Sequence, residues 1–342
     1  RRRHTRFRNV TGVQTCALPI CGKKRGRGVC YYFEASGGPG GSEPGKVAFH
    51  DNGTVELFLA TQSNGQGHET VFAQILSERL GVNFDAVIVR QGDTDHGMAG
   101  GGTVGSRSLQ ASGNAIGVVA DAVVKKGKAA AGQVLQAGGA DVDFSIAEGE
   151  GVFTVRGTAR KIALRELARV TKREKIPGFE NGLDESGSFE APPTFPNGCH
   201  VCEAEIDPQT GTFTLDNYVI VDDVGRVVNP LLVDGQIHGG IAQGLGQAVM
   251  EHIVYDKESG QLLSATFSDY AMPRADDMPA LDISYNEVLC RTNPLGTKGA
   301  GEAGTIGALP AIVGAVSDAL GVTHVDMPLT PEKIWRLANA KP

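Results

Sequence analysis

The chain has 342 residues, of which 41% are hydrophobic and 21% are charged, a composition that is typical of a folded globular protein and excludes a disordered one. No run approaches the roughly 18 consecutive apolar residues of a transmembrane helix, so we expect no membrane span. The net charge is −7, and the first 27 residues carry only basic charges, so the remainder is strongly acidic and disfavours a nucleic-acid partner.

The first 24 residues are predicted to be non-native. Residues 1–20 begin with arginines, but polar residues interrupt the apolar stretch that a twin-arginine export signal requires. The string VQTCALPI (13–20) resembles the translated adapter sequence found at the ends of assembled gene fragments. We therefore expect the natural protein to occupy residues 25–342 and to be truncated. Six cysteines are too few for a disulfide framework and indicate a reducing compartment.

Strand and helix patterns alternate through the first half of the chain. Apolar and polar residues alternate in the predicted strands, whereas the spacing of Val71, Ile75 and Leu76 predicts one face of a helix. The predicted elements are a strand at 29–35, a hairpin of 46–50 and 54–60 with its turn at 51–53, a helix at 68–80, a strand at 84–90, a long helix at 109–136, a hairpin within 144–157 and a helix at 163–172.

The second half continues in the same manner. A loop is predicted at 174–196, then a hairpin of 201–207 and 212–222 around the turn PQTG, and helices at 234–253, 305–320 and 331–339. Interleaved hairpins and helices indicate an α+β fold in which mixed sheets and hairpins pack against helices. We expect one domain over 25–342 with two subdomains, at about 25–172 and 190–342.

Glycine is the compositional outlier, with 47 residues, roughly twice its usual share. The surplus lies in four loops at or near predicted helix starts: GQGH (65–68), GGGTVGSRS (100–108), GQIHGGIAQGLGQ (235–247) and GTKGAGEAG (296–304). Backbone N–H groups are unpaired at helix starts, and glycine lets a ligand approach them. Around one cavity these loops would suit an anionic, polar, extended ligand. In the alternative interpretation, the glycines only form turns.

The last of these loops contains G-x-G-x-x-G at 299–304, the fingerprint of a Rossmann-type dinucleotide-binding protein. That fold requires a buried strand immediately before the loop, whereas Pro294 interrupts the preceding segment here. Glu302 inside the loop would also repel a pyrophosphate. The Rossmann alternative predicts a buried parallel strand that ends near Gly299.

Glu302 has glycines within two positions on both sides, at Gly301 and Gly304, so its carboxylate can face a cavity and act as a general base. In the alternative interpretation, Glu302 only caps the helix that follows. Cys199 and Cys202 resemble half of a zinc site, but residues i and i+3 of a strand point to opposite faces. No second cysteine pair follows, so we expect no direct metal ligand.

Six motifs in this order resemble the molybdopterin-binding large subunit of the xanthine dehydrogenase, aldehyde oxidase and carbon monoxide dehydrogenase family. They are GRGVCYYFEASGGP (26–39), TQSNGQGHETVFAQILSERLG (61–81), QGDTDHGMAGGGTVGSRS (91–108), GQIHGGIAQGLGQA (235–248), DYAMPRADDMP (269–279) and TNPLGTKGAGEAGTIGALPAIVGAVSDAL (292–320). The resemblance implies that the chain is the C-terminal half of that subunit, its second molybdenum-cofactor domain.

The resemblance also implies the roles of individual residues. Glu302 matches the catalytic glutamate beside molybdenum, and Gln66 matches a glutamine near the pterin dithiolene. The implied cofactor-binding residues are Gly65, Gln66, Gly67, His68, Thr103, Gly105, Ser106, Arg107, Ser108, Gln236, Gln243, Lys298, Gly299, Ala300 and Gly301. The glycine motif that contains Gln236 and Gln243 has an alternative role in close helix packing.

A molybdenum hydroxylase would oxidatively hydroxylate an aldehyde, an N-heterocycle or a related carbon centre, or oxidise carbon monoxide, with Glu302 as general base. The implied cofactor is molybdopterin, in its cytosine dinucleotide form, whose dithiolene holds the molybdenum. FAD and [2Fe-2S] clusters are expected on a flavin-binding medium subunit and an iron–sulfur small subunit, in a dimer of heterotrimers in the bacterial cytoplasm. A non-catalytic paralogue is the alternative, against which the presence of Glu302 argues.

Overall fold

The computed structural model describes residues 22–38, 40–95 and 98–340. The strands are β1 (Lys24–Phe33), β2 (Ser42–Phe49), β3 (Val55–Leu59), β4 (Val87–Arg90), β5 (Val142–Ala147), β6 (Glu150–Val155), β7 (Lys161–Ala163), β8 (Glu185–Glu190), β9 (Asn197–Ile206), β10 (Phe213–Asp223) and β11 (Leu281–Tyr285). The α-helices are α1 (His68–Leu80), α2 (Ser108–Val134), α3 (Leu164–Arg173), α4 (Pro230–Leu245), α5 (Ala303–Leu320) and α6 (Pro331–Ala338).

The described strands form three sheets, with the orders β1-β9-β10-β11, β4-β3-β2-β8 and β5-β6-β7. Most neighbours are antiparallel, but β3 pairs with β4 and β10 pairs with β11 in parallel. Mixed sheets, hairpins and packed helices confirm the predicted α+β fold.

The β2–β3 hairpin shows how local sequence sets this geometry. Gly53 has a positive φ of 91°, which glycine adopts at little cost, and the Asn52 side chain accepts a hydrogen bond from the Thr54 N–H at 3.0 Å. The turn brings Phe49 opposite Val55, so their side chains share one buried face. The hairpin predicted from the sequence is confirmed.

The described residues form two hydrophobic cores, one of which includes α2 and the other α5. The first core joins β2 and β3 to α1 and α2, and its fully buried residues include Leu57, Phe72 and Ile116. The second core joins β9 and β10 to α4 and α5 around residues such as Tyr218 and Ile312. Because β1 pairs with β9 and β8 pairs with β2, the chain crosses between the two cores. The proposed subdomain boundaries therefore stay a prediction.

The helix α5 meets the length and composition of a membrane span, which the search for apolar runs alone did not reveal. Of its 18 residues, 44% are buried within the domain. Its buried residues, such as Ala311 and Ile312, belong to the second core. Burial in that core explains the apolar composition of α5.

Several predicted boundaries differ from the structure. The segment 174–196 was predicted to be a loop but contains β8, whose sequence ESGSFE offers only one large apolar side chain. The predicted strand 84–90 begins with a 3-10 turn at Phe84–Ala86, and the predicted helix 234–253 begins four residues earlier and ends in a π-helical turn at Gly246–Met250.

Most of the N-terminal segment that we expect to be non-native, residues 1–21, lies outside the described residues. Its last residues belong to the folded domain, because Lys24 begins β1 and Lys23 Nζ lies 2.6 Å from Glu205 Oε1.

Candidate functional site

A cavity of about 450 Å³ lies where three of the glycine loops meet α4. It brings together residues that are far apart in sequence, because Gln66, Ser106 and Glu302 line the same space. The predicted residues that line it are Gly65, Gln66, His68, Thr103, Gly105, Ser106, Arg107, Ser108, Gln236, Lys298, Ala300, Gly301 and Glu302.

Four helices begin at this cavity. His68 and Ser108 are the first residues of α1 and α2, while Asn229 and Glu302 immediately precede α4 and α5. The first N–H groups of a helix lack partners within the helix, and the helix dipole places positive potential there. The cavity therefore offers the backbone donors that an anionic ligand requires.

Three predicted residues do not line the cavity. The Gly67 backbone, with φ +80°, packs against Leu232, and a Cβ on Gly67 would lie 2.5 Å from Leu232 Cδ2. The Gly299 N–H instead donates to Ser36 Oγ at 3.3 Å and to Thr194 Oγ1 at 3.2 Å. These bonds fix the 296–304 loop to the segments that carry Ser36 and Thr194.

Gln243 is exposed on α4, and its Oε1 accepts a weak hydrogen bond of 3.4 Å from Thr305 Oγ1. The glycines around it hold α4 close to α5. A Cβ at Gly240 would lie 2.8 Å from Thr305 N, and one at Gly244 would lie 2.6 Å from Ala308 Cβ. Most of the GQIHGGIAQGLGQ motif therefore serves helix packing, and Gln236 is its residue at the cavity.

Glu302 and Ser106 form a reciprocal pair. Ser106 Oγ donates to Glu302 Oε2 at 2.7 Å and accepts from the Glu302 N–H at 3.0 Å. Ser106 adopts a positive φ of 55°, which is unusual for a residue with a side chain. The Glu302 side chain makes no capping hydrogen bond to α5, so its carboxylate stays at the cavity and does not serve the helix.

A buried ion pair holds the 100–108 loop from behind. Arg107 Nη1 lies 2.9 Å from Glu43 Oε2, and their side chains are 4% and 0% exposed. Ser112 Oγ donates to the other carboxylate oxygen of Glu43 at 3.0 Å. The Arg107 guanidinium is thus committed to Glu43, and the contribution of Arg107 to the cavity comes from its place in the loop.

The 61–68 and 100–108 loops are joined by hydrogen bonds. The Thr103 N–H donates to Gln62 Oε1 at 2.9 Å, and Thr103 Oγ1 donates to the Gln62 carbonyl at 2.7 Å. Ser108 Oγ donates to Thr103 Oγ1 at 3.1 Å. Gln66 is held within its own loop, since its Oε1 accepts from Asn64 N at 2.5 Å. These contacts fix the shape of two cavity walls.

His68 and Lys298 add little free charge to the cavity. His68 is buried, its Nδ1 lies 2.9 Å from Gln91 Oε1, and burial lowers the pKa of its imidazole, so the ring is neutral at neutral pH. Lys298 Nζ is paired with Asp223 Oδ2 at 2.6 Å. Backbone N–H groups and amides therefore dominate the polar lining.

The sequence did not single out Glu34, Asn229 or the apolar wall. Glu34 directly follows strand β1, just before a glycine loop, a position that could have marked it, and it interacts with Ser106 and Glu302. Burial and the neighbouring Glu302 carboxylate raise the pKa of Glu34 to about 7. Val104, Leu109 and Leu232 supply apolar surface to the cavity, and none of them was predicted as a site residue, although Val104 lies within the 100–108 motif.

The Rossmann alternative is wrong. Of the strands in the described part of the chain, β11 is the last before the G-x-G-x-x-G loop, and it ends at Tyr285. Thr297 forms only an isolated bridge with Gly225. Without a strand that ends at the glycines, the loop lacks the geometry of a dinucleotide-binding turn.

Cys199 and Cys202 lie on opposite faces of β9, as strand geometry requires. Cys202 is fully buried, and burial raises the pKa of its thiol to about 12. Within the described ranges, no group of three histidine, cysteine, aspartate or glutamate side chains could hold a metal ion.

The chain is similar to known proteins over nearly its whole length. A family model described as the molybdopterin cofactor-binding domain matches residues 11–279. The carbon monoxide dehydrogenase large chain of Afipia carboxidovorans is 32% identical over 299 residues, which cover 86% of this chain and 36% of that protein. The nicotine 6-hydroxylase large subunit of Paenarthrobacter nicotinovorans is 34% identical over 334 residues, which cover 92% of this chain and 40% of that protein.

Among solved structures, quinoline 2-oxidoreductase from Pseudomonas putida 86 superposes with a TM-score of 0.84 at 31% identity and covers 99% of this chain. This chain covers 44% of that one, so it spans less than half the length of each of these three relatives. The family match over most of the chain and the shared fold lead to one conclusion: the chain belongs to the molybdopterin-binding large-subunit family that includes carbon monoxide dehydrogenase and xanthine dehydrogenase.

Proposed function

We propose that this chain forms the cofactor-binding and catalytic half of a molybdenum hydroxylase large subunit, with Glu302 as its general base. The observation that carries the proposal is the shared cavity of Gln66, Ser106 and Glu302. A carboxylate at the mouth of a cavity lined by backbone donors and amides suits proton removal beside a bound anionic cofactor.

The cavity fits a molybdopterin. The starts of α1, α2 and α5 have no side-chain cap within the described part of the chain and offer N–H groups to its phosphate, whereas Asn229 caps α4. A Cβ at Gly65 would point into open space, so the backbone there is free to be approached. Gln66 and Gln236 can hydrogen-bond to the pterin ring, and Leu232 can pack against its face. Among the described residues no side chain hydrogen-bonds to Gln236, so its amide is available. The cytosine dinucleotide form is longer than molybdopterin, and its added nucleotide would require the polar groups of the loops 61–68 and 100–108.

The bound cofactor would supply the redox centre that accepts two electrons from the substrate carbon. The residues of this chain orient the reactants and move the proton. Ser106 fixes one oxygen of Glu302 through a 2.7 Å hydrogen bond and leaves the other oxygen free to accept a proton. General base catalysis of this kind contributes roughly 10²–10⁴-fold to a rate.

The names of the relatives suggest the class of reaction. They describe a carbon monoxide dehydrogenase, a nicotine 6-hydroxylase and a quinoline 2-oxidoreductase. We propose oxidative hydroxylation of an aldehyde, an N-heterocycle or a related carbon centre, or oxidation of carbon monoxide, as the activity of the complete enzyme. We further propose a flavin-binding medium subunit, a small subunit with [2Fe-2S] clusters, a dimer of heterotrimers and a bacterial cytoplasmic location.

The test uses the complete enzyme with its partner subunits. Metal and pterin analysis of the purified wild-type complex should find molybdenum and molybdopterin in amounts equal to the large subunit. Replacing Glu302 by glutamine should leave both contents unchanged and lower kcat by about 10²–10⁴-fold, because the amide cannot accept a proton. Wild-type turnover in Glu302→Gln, or a complex without molybdenum, would refute the proposal.

A further inference from the structure

Glu34 lies behind the proposed base and belongs to none of the predicted site residues. It follows the last residue of β1, is only 9% exposed, and its backbone N–H donates to the Pro196 carbonyl at 3.0 Å. Its carboxyl group interacts with the Ser106 hydroxyl and the Glu302 carboxylate. Its buried Oε2 has no hydrogen-bond partner among the described residues.

The protons around Ser106 can be counted. The Ser106 hydroxyl has one proton, which it donates to Glu302 Oε2, and its oxygen already accepts from the Glu302 N–H. Because that proton is directed at Glu302, the buried Glu34 Oε2 has no hydrogen-bond donor among the described residues, which makes ionisation of Glu34 costly. A neutral Glu34 carboxyl, in contrast, carries its own proton and can donate it to Ser106 or Glu302.

The surrounding charges give the same result. The titratable groups that interact with Glu34 are Glu302 and Tyr32, and Tyr32 also interacts with Asp222 and Asp223 at the end of β10. The cations that line the adjoining cavity are Arg107 and Lys298. Both cations are already paired, Arg107 with Glu43 and Lys298 with Asp223. A buried carboxyl group that lies beside a second carboxylate, with both of these cations paired elsewhere, ionises only at a high cost in free energy, so the buried member retains a proton.

We propose that Glu34 is a positioning residue that keeps this proton and thereby holds the carboxylate of the exposed Glu302 directed at the cavity. The assignment follows from environment, because the buried member of a carboxyl pair holds the proton and the exposed member gives it up. The inference rests on the proposed role of Glu302 as base. When Glu302 accepts a proton from the reactant, the pair holds two protons, and Glu302, which faces the cavity, releases one of them to solvent.

The first measurement needs no variant and no turnover. Isotope-edited infrared spectroscopy of the full-length large subunit, with glutamate labelled at its side-chain carboxyl, should show one protonated carboxyl at pH 6. That band should disappear in Glu34→Gln and persist in Glu302→Gln. If the wild type shows no protonated carboxyl at pH 6, or if Glu34→Gln retains the band, the inference fails.

Thermal unfolding gives a second readout. Because the pKa of Glu34 is raised from its ordinary value of 4.5 to about 7, the native chain holds a proton that the unfolded chain has released, and stability falls as pH rises through that interval. Glu34→Gln cannot titrate, so its melting temperature should lack this decrease between pH 4.5 and 7. An unchanged decrease in the variant would overturn the inference.

Turnover separates a positioning role from a merely structural one. In the complete enzyme, Glu34→Ala should lower kcat by about 10²-fold, because a misplaced base loses its geometry, while KM changes little. Glu34→Gln, which preserves the neutral shape, should restore kcat to within about tenfold of the wild type. Loss of activity in Glu34→Gln equal to that in Glu34→Ala contradicts the inference. Full turnover of Glu302→Gln contradicts the proposed function instead, and the infrared band would still report on Glu34.

Discussion

Two polar clusters lie beside α5, and only one of them opens on the cavity. The open cluster consists of Glu34, Ser106 and Glu302, and Glu302 is exposed. The sealed cluster consists of Tyr32, His200, Tyr218 and Asp222, each at most 4% exposed. Tyr32 of β1 belongs to the sealed cluster, and Glu34, which directly follows β1, belongs to the open one.

The sealed cluster has the ingredients of a catalytic site but no access. His200 Nδ1 lies 2.9 Å from the Tyr218 hydroxyl, and His200 Nε2 lies 3.5 Å from Asp222 Oδ1. Burial raises the pKa of both tyrosines far above the ordinary range, so neither hydroxyl ionises near neutral pH. The comparison teaches that a carboxylate beside a hydroxyl becomes a candidate catalytic group only where a ligand can reach it.

The largest expected loss of unfolding free energy follows from removing the ion pair that supports the loop of the open cluster. Arg107→Met leaves the Glu43 carboxylate fully buried without its cation, which should cost about 3–5 kcal/mol of unfolding free energy. Ser106 precedes Arg107, so the same variant should also displace the partner of Glu302. Denaturant unfolding of the large subunit measures the loss.

The matched control is the double variant Glu43→Gln/Arg107→Met. It removes the orphaned charge and retains an amide for Ser112, so most of the lost free energy should return. A cost below about 1 kcal/mol for Arg107→Met alone would show that the loop does not depend on this ion pair.

A smaller change in stability is expected from adding a methyl group to α5 beside the sealed cluster, and its size reports how tightly that cluster is packed. A Cβ at Gly307 of α5 would lie 2.6 Å from ring atoms of His200, whereas a Cβ at Gly314 would meet only Gly28 Cα at 3.5 Å. Gly307→Ala should therefore destabilise the fold by about 1–3 kcal/mol. Gly314→Ala should stabilise it by up to about 1 kcal/mol, because alanine favours a helix over glycine.

Thermal unfolding of the two variants provides the comparison. Both substitutions lie on the same helix, two turns apart, so their intrinsic helix propensities are matched. Equal effects of Gly307→Ala and Gly314→Ala would mean that the sealed cluster yields to an added methyl group, contrary to its burial.

Local sequence signals predicted the helices and hairpins well, because each depends on neighbouring residues. The helix 68–80 was predicted at its observed bounds, since apolar spacing and the flanking glycines at 67 and 81 mark both ends. β8 was missed because its pairing with β2 supplies the stability that its own polar sequence does not.

The candidate site was predictable in its loops but not in its supports. Glycine-rich segments before helices indicated Gln66, Ser106 and Glu302. The commitment of Arg107 to Glu43, 64 positions earlier in the chain, depends on the fold and leaves no local pattern. The sequence could not link Glu34 to Glu302 for the same reason. The two carboxyl groups come together only because β1 packs against α5 in the folded protein.

The smallest change in stability is expected for Ser106→Gly, which should lose turnover while its unfolding free energy stays nearly unchanged. Ser106 has φ +55°, a conformation that glycine adopts without strain. Ser106→Gly should therefore offset its two lost hydrogen bonds with relief of that strain, so that the unfolding free energy changes by less than about 1 kcal/mol. Because Glu302 Oε2 loses its 2.7 Å donor, kcat of the complete enzyme should nevertheless fall about tenfold or more.

Ser106→Ala is the matched control, because it removes the hydroxyl but keeps the strained backbone. It should lose as much turnover as Ser106→Gly and additionally lose about 1 kcal/mol of stability. If Ser106→Gly keeps wild-type kcat, the hydroxyl does not orient Glu302, and the open cluster would then resemble the sealed one in having geometry without a catalytic consequence.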